Sequence, residues 1–164
     1  MTFIDELKKL NACPEAVEWV RENDYNLQQA WENCHRGDWM LWLAFRKKVN
    51  DKKLTLAKAR CARLVIHLME DEQSRNAVEV AEKYGAGQAT GEELEKARDA
   101  AYDAYADADA DAAAAAYDAY AAYAAAAHAA YAAYAAADAA AAAKKDIWQK
   151  SADICREILT NEIL

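Results

Sequence analysis

One proline and four glycines in 164 residues leave little to interrupt a helix. No run alternates apolar and polar residues convincingly, so the usual sign of a half-buried strand is missing. The four cysteines, at positions 13, 34, 61 and 155, have no close spacing. They indicate neither a disulfide framework nor a zinc site, and reduced thiols are expected. His35, His67 and His128 lie far apart, and none has a metal-ligand spacing with a cysteine. There is no phosphate-cradling Gly-rich loop. No apolar run approaches the length of a membrane span. The opening MTFIDELKKLNAC is charged and amphipathic, unlike a secretory leader. These absences point to a cytoplasmic, non-enzymatic, all-α protein that uses no metal and no cofactor. Its length suits one domain with a real core.

Charge is unevenly placed. The formal net charge is −8. Residues 100–143 hold six Asp and no base, whereas residues 46–63 (RKKVNDKKLTLAKARCAR) hold eight bases against one Asp. A net acidic chain is a poor general binder of phosphate backbones, so direct nucleic-acid binding is not expected. The basic segment reads as a solvated helix face, or as a partner for acidic segments of the same fold.

What is present is an extreme segment. Residues 100–143 contain only Ala, Tyr, Asp and one His. Alanine is the strongest helix former, so this stretch should be helical almost regardless of context. On a helical wheel Tyr102, Tyr105, Tyr117, Tyr120, Tyr123, Tyr131 and Tyr134 share one face about 120° wide. Asp103, Asp107, Asp111 and Asp118 fall on the adjoining flank. The bland account of the tyrosines is helix packing; the sharper one is a binding face, since Tyr offers large contact area at low entropic cost. A single helix over 92–143 would run about 78 Å, too long for a compact domain of this size. A break near Asp109 to Ala113, making a helical hairpin, is expected.

The remaining elements follow from caps and periodicity. A short helix covers about 2–10, with Thr2 as cap and Glu6 downstream. Pro14 suits the first turn of PEAVEWVREN. Asn26 caps LQQAWENC, and Gly37 and Asp38 cap WMLWLAFRKKV, which is apolar on nearly all sides and should be buried. Asp51 caps a helix to about Met69, with Leu54, Ala57, Cys61, Leu64, Val65 and Leu68 as its stripe. A helix follows at about 72–83, closed by YGAG. Thr90 precedes the acidic turn Glu92–Glu93. Asp146 starts the last helix, with Ile147, Ile154, Cys155, Ile158 and Leu159 inward. The chain thus divides into a Trp-rich part, 1–91, and an Ala/Tyr/Asp-rich part, 92–164, joined in one integrated domain.

Chemical sites are few. Asp107, Asp109 and Asp111 have the spacing of a calcium loop and Asp118 its twelfth position. Ala112 stands where the loop needs Gly, and the last ligand should be Glu, so calcium is rejected. The carboxylates at i and i+4 repel one another and cost helix stability. They keep an Ala/Tyr helix soluble, or form a ladder for a basic partner. Arg36-Gly37-Asp38 spells an integrin-type tripeptide but reads as a helix junction beside tryptophans.

LNACPEAVEWV (10–20) and LQQAWENCHRGDWMLWLAFR (27–46), followed by an Ala/Tyr/Asp-rich second half, resemble the Imm5-like immunity proteins of bacteria and their phages. AWENCHRGDWMLWL (30–43) is the most specific part. The resemblance implies an all-helical cytoplasmic protein that neutralises a toxin by binding it, and it transfers no catalytic or ligand residue. The leading expectation is an inhibitor whose protein partner, a toxin or host enzyme complex, meets the Asp/Tyr faces of residues 103–134. Three alternatives remain. One is a phage counter-defence protein, anti-CRISPR-like, whose carboxylate ladder occupies a nucleic-acid site. Another is an ice-binding helix, although the regular Thr repeat is lacking. The third is a structural homo-oligomer in which the basic segment of one chain meets the acidic helix of another.

Overall fold

The computed structural model describes residues 2–69, 71–106 and 141–164, and these form an all-helical bundle. The elements are α1 (Phe3–Lys9), α2 (Pro14–Glu22), α3 (Leu27–Asn33), α4 (Gly37–Arg46), α5 (Asp51–Arg63), a 3-10 turn (Ile66–Leu68), α6 (Glu72–Gly85), α7 (Gly91–Ala106) and α8 (Ala141–Ile163). Helix α8 packs on both α4 and α5, α5 packs on α6, and α6 packs on α7. Among the described residues no helix is long and apolar enough to cross a membrane. The expected hairpin within 92–143 falls largely outside the described residues.

Short helices survive here because both ends are closed. Thr2 and Asn26 each make a reciprocal capping box, and Asn50 and Asp71 accept from the third backbone N–H of α5 and α6. At the other ends Asn11, Asp24, Lys48 and Gly87 all take the left-handed backbone conformation. In each case the next residue's N–H reaches back across the last turn: Ala12 to Leu7, Tyr25 to Val20, Val49 to Ala44, Gln88 to Lys83. These are Schellman closures, and they satisfy carbonyls that the helix itself leaves unpaired.

The main core gathers Leu7, Val20, Trp31, Met40, Leu54 and Leu159 with a set of small residues. Smallness matters most at α8. A Cβ added to Gly37 would lie 2.3 Å from Cβ of Ser151 and 2.8 Å from N of Ala152. The start of α4 therefore rests on the α8 backbone, a contact only glycine allows. Gly85 plays the same part between α6 and α5, where an added Cβ would meet Cα of Leu56 at 2.8 Å.

Several local expectations are corrected. The capping-box partner of Thr2 is Asp5, not Glu6. Asn50 is the cap of α5, and Asp51 is its first residue. Helix α5 stops at Arg63 rather than Met69. The chain turns there, which buries Val65 and Met69 and leaves Leu68 exposed. Gly37 and Asp38 lie inside α4, whose N-cap is Arg36. That helix is not buried all round, since Phe45 is 52% exposed. Asp146 does not start α8, because the Ala run before it supplies no stop signal; it sits within the helix and pairs with Lys150.

The Gly37 contact makes a direct test. Gly37→Ala should destabilise the fold by about 2–3 kcal/mol, through overpacking against backbone that cannot give. Urea unfolding followed by circular dichroism measures this, and an unchanged midpoint would show that α4 and α8 can separate without cost.

Candidate functional site

The sequence reading offers the Tyr/Asp segment as a candidate binding face, and of its residues the structure describes the side chains of Tyr102 and Asp103. Helix α7 is opened by a reciprocal pairing of Thr90 and Glu93, in which each side chain takes the other's backbone N–H. It buries Ala97 and Ala101, one turn apart, against Ala77 and Val80 of α6. Tyr102 is the next residue round the helix and stands 43% exposed. Asp103 beside it is exposed too. The close packing of α7 is thus made by alanine, and Tyr102 lies outside it. Tyr105 belongs to α7 by its backbone. Asp107, Asp111, Asp118, Tyr117, Tyr120, Tyr123, Tyr131 and Tyr134 lie outside the described residues.

Half the bases of the basic segment are matched within the fold. Lys47 bonds Glu6 at 2.7 Å, Lys53 bonds Glu162 at 2.7 Å, and Arg60 bonds Glu157 at 2.8 Å. Arg63 forks onto Glu82 at 2.6 and 2.7 Å. The open groove of about 590 Å³ between α5 and α6 is lined by Arg60, Arg63, Glu79, Glu82 and Lys83, and carries both signs. It offers no stripe of unpaired bases to a phosphate backbone.

The Trp-rich part contains a feature the sequence did not announce. A cavity of about 440 Å³ lies among α1, α2, α3 and α4. Trp19, Trp31, Trp39 and Trp42 line it, with Glu15, Arg36 and Asp38 as its charged residues and Cys13 beside them. Trp19 and Trp39 stand with ring centroids 6.1 Å apart, and Tyr25 meets Trp19 edge-on at 5.3 Å. The Arg36 guanidinium lies over Trp39 at 4.5 Å and over Trp148 of α8 at 4.0 Å. It also forks onto Asp38 at 2.8 and 2.6 Å. The Arg-Gly-Asp tripeptide is therefore closed on itself, with its two charged ends paired. No local signal marks this arrangement, because Trp148 is over a hundred residues away from Arg36.

Arg156 of α8 is a second residue that sequence reasoning missed. Its guanidinium donates to the backbone carbonyls of Trp31, Glu32 and Cys34 at 3.3, 3.4 and 2.8 Å. It closes the C-terminus of α3 and favours the negative end of that helix dipole. Trp31 answers from the other side, its indole N–H donating to Thr160 at 3.0 Å.

The thiols are placed for structure. Burial pushes Cys34 up to about 11, away from reactive thiolate. Cys155 is raised well above the usual thiol range by its hydrogen bond with Cys61 and by burial. Its Sγ donates to the carbonyl of Gly37, and Sγ of Cys61 donates to that of Ser151. Cys13 alone is exposed. Among the described residues no cluster of three or more His, Cys, Asp or Glu is placed to hold a metal. The chain matches no protein-family model, no curated protein and no solved structure.

Among the described residues Lys58 of α5 is the charged residue that is buried. It is only 8% exposed and sits 5.4 Å from the Phe45 ring centroid. Burial pulls its pKa from 10.5 down to about 7, partly offset by Asp51. The unfolded chain therefore binds the proton more tightly than the folded one. Below pH 7 the burial penalty is full, and it fades as pH rises towards 10.5. Relative to Lys58→Met, wild type should gain stability steadily as pH rises from 7 to 10, read as a change in the Tm difference between them. A gap independent of pH would show that Lys58 does not titrate as described.

Proposed function

We propose that this chain is a non-catalytic inhibitor of the immunity-protein kind, which neutralises a toxin or host enzyme by direct contact through an acidic, tyrosine-rich helical face. The observation that carries the reading is at the end of α7. Alanines 97 and 101 make the packing, while Tyr102 and Asp103 face outward. An aromatic ring left out of the core is a side-chain type enriched at interfaces, and the carboxylate beside it complements a basic partner. Charge supports the same reading. The bases of residues 46–63 that pair do so with acids of the same chain, and the molecule keeps its net charge of −8 for a basic partner. The resemblance of residues 10–20 and 27–46 to Imm5-like immunity proteins supplies the biological setting, a toxin met in the cytoplasm.

Affinity capture from the native host, followed by an activity assay on what is retained, tests this. Wild type should hold one toxic enzyme and suppress its activity. Tyr102→Ala should weaken binding about tenfold or more, as central interface aromatics do. The triple variant Asp103→Lys, Asp107→Lys, Asp111→Lys should abolish it by opposing a basic partner. Full neutralisation by the triple variant would overturn the proposal.

A further inference from the structure

The tryptophan-lined cavity has a volume, a wall chemistry and a charge balance that together specify a ligand. Its roughly 440 Å³ lies within the range of small-molecule sites. Its interior is apolar, with Leu7, Val20, Met40 and Leu43 behind the indole rings. Its charged residues are Glu15, Asp38 and Arg36. Arg36 does not make the site basic. Its faces are covered by Trp39 and Trp148, and its fork is taken up by Asp38. Glu15 is exposed and makes no ion pair among the described residues. Glu15 attracts Arg36 through space without a salt bridge to it, so two carboxylates face one guanidinium and the lining keeps one negative charge in excess.

That combination favours positive charge. Aromatic faces attract cations through the ring quadrupole, and most strongly at tryptophan. A neighbouring carboxylate adds direct Coulomb attraction. An organic anion would meet repulsion from Glu15 and find Arg36 already engaged. A purely apolar ligand would gain nothing from the carboxylate. We propose that this cavity binds a small organic cation: an amine or quaternary ammonium carried on an aromatic or branched apolar body. The cationic head lies at Glu15 and the tryptophans, and the apolar body fills the space towards Leu7 and Leu43. The site shares no residue with the α7 face, so the two proposals stand or fall separately.

Three probes of one shape make the test on the full-length chain: 4-phenylbutylamine, the neutral 4-phenylbutan-1-ol and the anionic 4-phenylbutyrate. Binding is followed by calorimetry and by quenching of tryptophan fluorescence. The amine should bind about tenfold more tightly than the alcohol, and the acid more weakly than either. Glu15→Gln, a change on the exposed side of α2, should bring the amine down to the level of the alcohol and leave the alcohol's affinity unchanged. Ala16→Phe, which fills the cavity from α2, should remove binding of all three while the helical circular dichroism persists. The proposal is overturned if no probe binds, if the alcohol or acid binds as well as the amine, or if Glu15→Gln leaves the amine's advantage intact.

Discussion

The close approach of α8 to the start of α4 sets the positions of most other parts. Gly37 has no side chain, so the α4 backbone settles against Ser151 and Ala152. Cys155, one turn further along α8, then donates to the Gly37 carbonyl. With α8 held at this depth, Trp148 reaches the Arg36 guanidinium from one side while Trp39 covers the other. Arg156 reaches the carbonyl end of α3, and Thr160 reaches the indole of Trp31. The cavity of the Trp-rich part thus has walls that a distant helix steadies. A residue larger than glycine at position 37 would move all of these contacts at once, because an interior near crystalline density transmits displacement rather than absorbing it.

Electrostatics in this protein arranges more than it stabilises. The pairs Lys47–Glu6, Lys53–Glu162, Arg60–Glu157 and Arg63–Glu82 join different elements, yet all are at least partly solvated. Each contributes about 0–1 kcal/mol. Their larger consequence is subtraction. Half the bases of residues 46–63 are matched to acids of the same fold, which reduces the positive charge that segment offers to a partner. Lys58 is the exception in kind, an amine held beside Phe45 where desolvation outweighs the attraction of Asp51.

Both surfaces with a proposed role share a physical preference. At the end of α7 an exposed tyrosine stands beside an exposed carboxylate. In the Trp-rich part indoles and an exposed carboxylate line the same cavity. Aromatic rings and carboxylates both favour positive charge, one presented on a convex helix and the other within a concavity. The convex face suits a macromolecule and the cavity suits a small molecule, so shape separates the two partners where charge does not.

Much of the local structure was legible in the sequence, and the failures have a common cause. Thr2, Pro14, Asn26 and Thr90 marked helix starts correctly, because a cap is a contact between residues three apart. The all-α class followed from one proline, four glycines and the alanine content. Spacing put Tyr102 and Asp103 on adjoining sides of one helix, but it could not say which side met the core. That was decided by α6, whose Ala77 and Val80 accept Ala97 and Ala101 and leave the tyrosine outside. The pairing of Arg36 with Trp148 and the cavity depend on residues or elements far apart in the chain. By itself the sequence determined the helical class and the capped starts at Thr2, Asn26 and Thr90, since those are short-range matters of propensity and hydrogen bonding. Only the tertiary structure decided which faces are buried and which residues meet, because those depend on how closely the helices can approach.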